Sequence, residues 1–229
     1  MKIELIDFMG DDLTVVNAAR VSFDKESEWE SITPAGPIEN LLTEKDTKLI
    51  NYLAKHNHFT PFTHCTVTMR ETVPIFVARQ RFKHTIGFSY NEVSRRYVDD
   101  TPEFYMPEAW RARADNAKQG SSEETIDINP VGERPPPMVD IYELSIKNSL
   151  WTYEELLRKG VCPEQARMVL PQSMYTSYYV TGSLYAWARA YNLRSDSHAQ
   201  KEIQQLADRW NRICIGRFPI SWSALTEGN

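Results

Sequence analysis

The sequence predicts an α+β fold in which a few strands accompany many helices. Residues 2–8 (KIELIDF) and 66–72 (TVTMRET) alternate apolar and polar side chains, as half-buried strands do. Much of the remaining chain instead places apolar residues at helical spacing, and its periodic segments begin at proline or stop at glycine. Few strands and many helices, each in its own stretch of sequence, are typical of the α+β class.

Helices are predicted at seven places along the chain. The segments are 12–20, 44–55, 74–84, 139–159, 164–170, 175–191 and 199–215. Pro74 and Pro163 suit first turns, whereas Gly160 and Gly216 suit helix ends. The helix over 44–55 is expected to end near His56, and 21–24 is expected to be a loop.

The stretch from 107 to 137 is polar and contains SSEET and the run Arg134-Pro135-Pro136-Pro137. This composition predicts an exposed excursion without regular elements. The rest of the 229-residue chain is long enough for a substantial core, so we expect one folded domain over 1–229.

The composition excludes several classes of protein. Hydrophobic residues are 41% and charged residues 25% of the chain, which is ordinary for a folded domain. No stretch reaches the roughly 18 apolar residues of a membrane span, and 1–10 lacks a signal-peptide core. A net charge of −5 argues against bulk electrostatic binding of nucleic acid. We therefore expect a cytoplasmic protein with no nucleic-acid or membrane partner.

The cysteines and histidines do not form a recognised metal motif. Cys65, Cys162 and Cys214 are far apart and form no CxxC pair, so we interpret them as reduced packing residues. Three histidines lie in 56–64 (HNHFTPFTH), but neither HExxH nor a finger pattern is present. We predict a ligand-facing loop there and no metal.

A polar segment follows the helix predicted over 74–84. On that helix Gln80 and His84 would share a face, as would Arg79 and Lys83. Residues 89–97 (SYNEVSRRY) then bring serines beside arginines, and the planar guanidinium fork fits a phosphate. A nucleotide site is one interpretation, and a solvated loop with surface ion pairs is the other.

A second polar segment, 192–200 (NLRSDSHAQ), joins two predicted helices. Ser195, Asp196 or Ser197 could cap the second helix, whose N-terminal amides favour an anion. Arg194 would then meet that anion or the acidic imide of a ring. The alternative is a capped helix junction only. Arg167, among apolar neighbours, should extend outward or be paired.

Five motifs, taken together, resemble one family, the flavin-dependent thymidylate synthases. Residues 89–97 are similar to the family's S-x-N-E-x-S-x-R-Y, and 74–80 (PIFVARQ) to the helix before it. Residues 58–64 resemble H-x-T-P-F-x-H, 19–24 resemble A-R-V-S-F-D, and 192–200 resemble L-R-x-D-S-H-A-Q. The resemblance covers roughly 1–105 and 140–215.

The chain departs from the family's pattern near the expected flavin. Lys83-His84-Thr85 stands where the family has Arg-His-Arg, and Thr63 replaces a frequent glutamate. Ser183 and Arg189 occupy positions where the family uses asparagines near the flavin. A lysine is a point charge without the fork of arginine, so the flavin phosphates would be held less tightly or with help from Arg189.

The resemblance implies the family's fold, with a small antiparallel sheet and many helices, and a homotetramer with active sites shared between subunits. It implies FAD as cofactor, dUMP as substrate, methylenetetrahydrofolate as carbon donor and NADPH as reductant. The residues it places around dUMP are Gln80, Arg81, Phe82, Lys83, Glu92, Val93, Ser94, Arg95, Arg96, Arg167 and Arg194. Those it places around FAD are Ser22, His58, Thr60, Lys83, His84, Thr85, Asn91, Glu92, Ser183, Arg189 and His198.

The resemblance also implies a division of labour in catalysis. Reduced FAD would deliver hydride, and the protein would supply orientation and electrostatics. Arg194 would stabilise negative charge on the pyrimidine, and Ser94 would position or polarise the ring. These two residues are the catalytic candidates.

Three alternatives stay open at this point. A cysteine-dependent thymidylate synthase would need a cysteine in a cationic surround, and none of the three cysteines fits. A nucleotide-binding module that has lost catalysis is favoured only by the altered Lys83-His84-Thr85. The third alternative keeps the fold and the flavin but acts on another pyrimidine nucleotide or one-carbon unit.

Overall fold

The computed structural model describes residues 1–32, 39–98, 100–113, 122–126, 128 and 138–227. The chain divides into two compact units. Unit 1 consists of Met1–Lys2, Thr72–Lys83 and Asn91–Tyr178, and unit 2 of Ile3–Glu71, His84–Tyr90 and Tyr179–Asn229. The single domain predicted over 1–229 stays a prediction.

Within the described residues the strands form one larger sheet and two short ladders. The strands are β1 (Lys2–Met9), β2 (Glu30–Ile32), β3 (Glu39–Leu41), β4 (Thr66–Pro74), β5 (Phe88–Glu92), β6 (Trp110–Arg111), β7 (Thr125–Ile126) and β8 (Tyr175–Ser183). The four-stranded sheet has the order β1-β4-β8-β5, and β2 pairs with β3 and β6 with β7 in antiparallel ladders. The predicted α+β class with a small antiparallel sheet is confirmed.

The helices are α1 (Asp12–Arg20), α2 (Glu44–Lys55), α3 (Ile75–Arg81), α4 (Met138–Arg158), α5 (Pro163–Ala166), α6 (Leu184–Arg194), α7 (Lys201–Ile215) and α8 (Pro219–Thr226). The predictions for 12–20 and 44–55 are confirmed at both ends, and those for 139–159 and 199–215 within two residues. The segment predicted helical over 164–170 is α5 followed by a 3₁₀ turn at Arg167–Val169. Helix α8 was not predicted.

The prediction of one helix over 175–191 is wrong. Residues 175–183 (YTSYYVTGS) form β8, and α6 begins only at Leu184. This stretch is rich in tyrosine, threonine and valine, which favour strands, and Thr176, Tyr178 and Val180 are buried at every second position. Ser183 then starts α6, because its Oγ accepts a hydrogen bond from the Ala186 N–H at 3.2 Å.

The helix predicted over 74–84 is also shorter than expected. Pro74 is the last residue of β4 and the N-cap of α3, and the helix ends at Arg81 with Phe82 as its C-cap. Lys83 and His84 therefore lie beyond the helix. The shared helical faces predicted for Gln80 with His84 and for Arg79 with Lys83 are not formed.

The polar segment 107–137 contains the ladder between β6 and β7, in which Trp110 lies opposite Ile126. The prediction that this segment holds no regular element is corrected to that extent. Residues 114–121, 127 and 129–137, including the prolines at 135–137, lie outside the described residues.

The core of unit 2 is built on tryptophans. Trp187, Trp210 and Trp222 are fully buried, and the rings of Trp187 and Trp210 are 5.5 Å apart. Their polar edges are satisfied: Trp187 Nε1 donates to the Val67 carbonyl at 3.1 Å and Trp210 Nε1 to Glu71 at 2.8 Å. These bonds join α6 and α7 to β4 and fix the element that carries Arg194.

Unit 1 has a smaller core that supports the nucleotide-binding candidates. Tyr178 is buried and its ring lies 4.8 Å from that of Phe82, just after α3. Phe76 and Tyr105 make a second edge-to-face contact at 5.5 Å. Such ring pairs favour a fixed orientation, so both ends of α3 are held.

A buried carboxylate joins α1 to α2 within unit 2. Asp46 accepts hydrogen bonds from Arg20 Nε at 3.0 Å, Ser27 Oγ at 3.0 Å and Thr43 Oγ1 at 2.9 Å. Burial works to raise the pKa of Asp46, but these hydrogen bonds outweigh it and hold the pKa below its ordinary value. Arg20 of the A-R-V-S-F-D motif is therefore part of the structure of unit 2.

No helix in the described part of the chain is both long enough and apolar enough to cross a membrane.

Candidate active site

The signature segment 89–97 begins on β5 and is fixed against β8 inside unit 1. Glu92 Oε1 accepts a hydrogen bond from the buried Thr176 Oγ1 at 2.6 Å. The Val93 N–H donates to the Ser177 carbonyl at 2.9 Å. These bonds set the start of the following loop, although the side chains of Asn91, Glu92 and Val93 are exposed.

The loop closes as a turn that presents Arg96. The Tyr97 N–H donates to the Ser94 carbonyl at 3.0 Å. Ser94 Oγ accepts from the Arg96 N–H at 3.3 Å and from its Nε at 3.2 Å. The guanidinium lies over the Tyr97 ring, 5.0 Å from its centroid. The structure thus brings Ser94 and Arg96 together as the resemblance implied.

The neighbouring Arg95 is bound within the same loop. Its Nη1 donates to the Asp100 carboxylate at 2.7 Å and to the Asp100 carbonyl at 2.5 Å, and its side chain is only 12% exposed. Arg95 therefore stabilises the loop that carries Ser94 and Arg96.

The other nucleotide-binding candidates of unit 1 differ in exposure. Gln80 and Phe82 are half-buried, Lys83 is exposed, and Arg167 is exposed on its 3₁₀ turn. Arg81 is fully buried, so its side chain belongs to the interior of unit 1. The expectation that Arg167 extends outward is confirmed.

In unit 2 the structure brings Arg194 and His84 together. Arg194 is the last residue of α6, and its Nε donates to His84 Nε2 at 2.8 Å. The His84 carbonyl accepts from the Tyr90 hydroxyl at 2.7 Å. Since an arginine N–H can only donate, His84 Nε2 acts as the acceptor of this bond.

The turn after His84 depends on a glycine. Gly87 has φ +79°, and a Cβ there would lie 2.9 Å from the Ala186 Cβ. The Ser183 N–H donates to the Gly87 carbonyl at 3.2 Å. This close approach packs the turn containing the exposed Thr85 on the first turn of α6.

A cavity of about 490 Å³ lies within unit 2 beside α6. Two cations, Lys55 and Arg189, and the amides Asn57 and Asn192 are among its lining residues. The Arg189 guanidinium is 5.9 Å from the Tyr185 ring centroid, and Tyr185 stacks on Phe59 at 5.1 Å. The lining also includes the Glu227 carboxylate, so the cavity offers two cations, one carboxylate and the Tyr185 ring to a ligand.

The junction after α6 differs from the prediction. Gln200, rather than Ser195, Asp196 or Ser197, is the N-cap of α7, without a side-chain cap bond. Asp196 Oδ1 instead accepts from the His198 N–H at 2.7 Å and lies 2.9 Å from His198 Nδ1. The short polar side chain bonds to its own turn, as such residues often do.

The remaining flavin candidates occupy exposed turns of unit 2. Ser22 lies on a 3₁₀ turn (Val21–Phe23), Thr60 begins another (Thr60–Thr63), and the His58 ring makes an edge contact with Tyr52 at 6.0 Å. Ser183 has a structural role already, as the N-cap of α6.

The cysteines lack the surroundings of a nucleophile. Cys65 is buried, and burial together with the charges of Asp11 and Asp12 raises its pKa to about 12. Cys214 is buried, and burial raises its pKa as well. Cys162 is exposed, so its interpretation as a packing residue is wrong. Among the described residues no group of three or more metal-ligating side chains lies together.

The sequence interpretation missed three partners of the candidate residues. Glu164 Oε1 lies 3.5 Å from Arg96 Nη1, Thr176 binds Glu92, and Tyr90 binds the His84 carbonyl. Glu164 stands three residues before Arg167. This helical spacing is the one local sequence feature that places Glu164 near a candidate arginine. The Thr176 bond depends on the pairing of β8, which the 175–191 misassignment concealed, and the Tyr90 bond depends on the turn between His84 and β5.

Comparison with known proteins identifies the family. The model of the thymidylate synthase complementing protein family (Thy1) matches residues 4–220. The flavin-dependent thymidylate synthase of Thermosipho africanus is 44% identical over 225 residues, covering 98% of this chain and 90% of that protein. The chain belongs to the Thy1 family.

Other Thy1 relatives and solved structures agree with this membership. The flavin-dependent thymidylate synthase of Thermus thermophilus is 36% identical over 225 residues, covering 98% of this chain and 75% of that protein. A UMP/dUMP methylase, PolB from Streptomyces cacaoi, solved with 5-Br dUMP, superposes with a TM-score of 0.77 at 28% identity. That match covers 97% of this chain and 93% of PolB. The recognition made from the five motifs is confirmed.

Proposed function

We propose that this Thy1 protein converts dUMP to dTMP by reductive methylation, with methylenetetrahydrofolate as carbon donor and reduced FAD as hydride donor. The structural observation that carries the proposal is the turn at 94–97. It presents an arginine whose Nε is held by Ser94 and whose face is held by Tyr97. A guanidinium oriented in this way can bind a phosphate through its remaining N–H groups.

For the nucleotide, we propose a phosphate subsite made of Arg96, whose guanidinium Ser94 orients, and Arg167. Arg95 supports it by fixing the loop, and Arg194 acts at the imide of the uracil. The remaining members of the proposed dUMP site are Gln80, Phe82, Lys83, Glu92 and Val93, whereas Arg81 is left out because its side chain is fully buried. The exposed positions of Arg96 and Arg167 and the two hydrogen bonds to Ser94 support this assignment.

For the flavin, the residues of unit 2 fit the chemistry of FAD. FAD carries a diphosphate and two aromatic ring systems, and the cavity beside α6 offers Lys55, Arg189 and the Tyr185 ring. Cations neutralise phosphates and aromatic side chains stack on flat rings. The proposed FAD residues are Ser22, His58, Thr60, Lys83, His84, Thr85, Asn91, Glu92, Ser183, Arg189 and His198.

Reduced FAD, when bound, supplies the hydride of the reaction. The chain's own part is electrostatic. Arg194 stabilises negative charge on the pyrimidine, and His84 orients Arg194 by accepting its Nε–H. Ser94 positions or polarises the pyrimidine ring. No thiol nucleophile is required, in keeping with the buried Cys65 and Cys214.

We further propose NADPH as the reductant and a homotetramer as the functional assembly. Large apolar side chains that the chain leaves exposed, such as Phe23, Ile86, Trp151 and Met168, support assembly. A second candidate substrate is UMP, because the solved relative PolB is described as a UMP/dUMP methylase.

Product formation tests this proposal. We expect the purified protein, given FAD, NADPH and methylenetetrahydrofolate, to convert dUMP to dTMP, as measured by chromatography. UMP in place of dUMP is the matched comparison. Methylated UMP in larger yield than dTMP would replace dUMP by UMP as the substrate, and no methylation of either nucleotide would refute a methylase.

A further inference from the structure

The Arg96 guanidinium has one contact that differs in kind from the others. Ser94 Oγ holds its Nε at 3.2 Å, and the Tyr97 ring lies under its face. Its Nη1, on the edge left for a ligand, is 3.5 Å from a carboxylate oxygen of Glu164. Two neutral partners therefore orient the guanidinium, and one anion lies at its ligand-binding edge.

The Glu164 contact is weak. A distance of 3.5 Å exceeds the range of about 2.7–3.2 Å for a good N–H···O bond, and the side chains of Arg96 and Glu164 are 43% and 62% exposed. Arg95 offers the contrast, since it binds Asp100 at 2.7 Å and is nearly buried. The bond of Arg95 fixes the loop, whereas the contact of Arg96 can be exchanged.

We propose that Glu164 sets the affinity of the phosphate subsite by competing with the substrate phosphate for Arg96. The inference rests on the proposed function, in which Arg96 binds the phosphate of dUMP. A phosphate can accept two parallel N–H bonds from a guanidinium and displaces a distant carboxylate. When the nucleotide dissociates, the Glu164 carboxylate contacts the Arg96 guanidinium again.

The position of Glu164 on the chain fits this role. It lies on α5, three residues before Arg167, so one short helical segment carries both a cation of the subsite and the competing anion. A glutamate needed only to orient Arg96 would be redundant, because Ser94 and Tyr97 already do so. Removal of the Glu164 charge should therefore strengthen phosphate binding.

The test compares Glu164→Gln with Glu143→Gln. Glu143 is the matched control, because it lies in the same unit, pairs with Lys147 at 3.4 Å and is 46% exposed. Both variants lose one negative charge, so any effect of net charge is shared. Titration calorimetry measures the affinity of each variant for dUMP and for deoxyuridine. The affinity for inorganic phosphate is measured from the NMR signal of the Arg96 Nε–H during a phosphate titration.

We expect Glu164→Gln to bind dUMP and inorganic phosphate about two- to five-fold more tightly than wild type, the effect of one exposed ion pair. Deoxyuridine, which lacks the phosphate, should bind both proteins equally, and Glu143→Gln should match wild type throughout. The gain should shrink at high salt.

Two outcomes would overturn the inference: affinity in Glu164→Gln equal to that in Glu143→Gln, or affinity below wild type. If the wild type binds no dUMP, the proposed function fails separately. The phosphate titration of Arg96 then decides the role of Glu164 without dUMP.

Discussion

At the scale of single residues, Arg194 is the clearest candidate for direct action on the substrate. It ends α6, whose buried residues Leu184, Ala186, Trp187, Ala188 and Ala190 belong to the core of unit 2, and its Nε donates to His84. The His84 acceptor fixes the direction of the Arg194 guanidinium. This is the arrangement that stabilises a developing anion.

We predict that Arg194→Ala weakens dUMP binding or turnover by about 1.5–3 kcal/mol, the range for a charge-assisted hydrogen bond. The thermal stability of the ligand-free protein should change little. Arg194→Lys should recover only part of the loss, since it lacks the planar fork. The measurements are dUMP affinity, turnover and melting temperature on the same variants.

Arg158→Ala is the matched control for this prediction. Arg158 is an exposed arginine in the last turn of α4 that pairs with Glu155, and its loss should change neither affinity nor stability. Near-normal dUMP affinity in Arg194→Ala together with a large fall in melting temperature would show that Arg194 is structural.

The sequence predicts the role of a residue where a family motif implies that role. It does not predict the role where contacts with residues outside the motif determine it. The motif placed Ser94 and Arg96 together, and the structure does the same. It did not separate Arg95, which fixes the loop, from Arg96, which faces outward, because that difference depends on Asp100 and Glu164. It also gave no reason to expect that Ser183 caps a helix.

At the scale of elements, the junction of α1 and α2 depends on the buried Asp46. Three side-chain donors, Arg20, Ser27 and Thr43, converge on its carboxylate, and its own backbone N–H donates to Thr43 Oγ1 at 3.0 Å. The 3₁₀ turn that carries Ser22 follows α1 directly. The position of this flavin candidate is thus tied to one carboxylate.

We predict that Asp46→Asn lowers the free energy of unfolding at pH 7 by about 2–4 kcal/mol, because it leaves Arg20 without its charged partner. Glu44→Gln is the control, since Glu44 lies in the same first turn and pairs with Lys48 on the surface. Urea denaturation measures both. A loss in Asp46→Asn no larger than that in Glu44→Gln would contradict the structural role.

The same variant gives a pH dependence whose sign is fixed. The pKa of Asp46 is lowered in the folded protein relative to its ordinary value of 3.8. Its stabilisation is therefore present above about pH 3.8 and is lost as the pH falls through the lower folded value. The stability difference between wild type and Asp46→Asn should shrink over that acidic range, as a denaturation series from pH 7 to about pH 3 would show.

Elements with strong local signals were predicted well, and those set by tertiary pairing were not. Helices α1 and α2 have capping side chains and clear periodicity, and both were predicted at their observed ends. The stretch 175–191 combines a strand and a helix without a proline between them. The helical periodicity of α6 therefore leads to the wrong prediction of a helix over β8 as well. The sequence predicts Pro74 in the first turn of a helix, whereas it is the last residue of β4 and the N-cap of α3.

At the scale of the whole molecule, each of the two units holds candidate residues of its own. Unit 1 provides the guanidinium of Arg96 in a loop fixed by Arg95, and unit 2 provides Arg194 oriented by His84. Composition alone argues against a membrane span and against bulk electrostatic binding of nucleic acid, but it indicates no activity. The motifs indicated the activity. Several of their residues are held by specific hydrogen bonds.

The measurement that tests the central claim most directly is the anaerobic reoxidation of the reduced flavin, followed by stopped-flow absorption. A flavin-dependent thymidylate synthase should reoxidise its flavin without oxygen only when dUMP and methylenetetrahydrofolate are both present. We predict that either compound alone leaves the flavin reduced and that the pair oxidises it with formation of dTMP. A reduced flavin that stays reduced in the presence of both would contradict the proposed function.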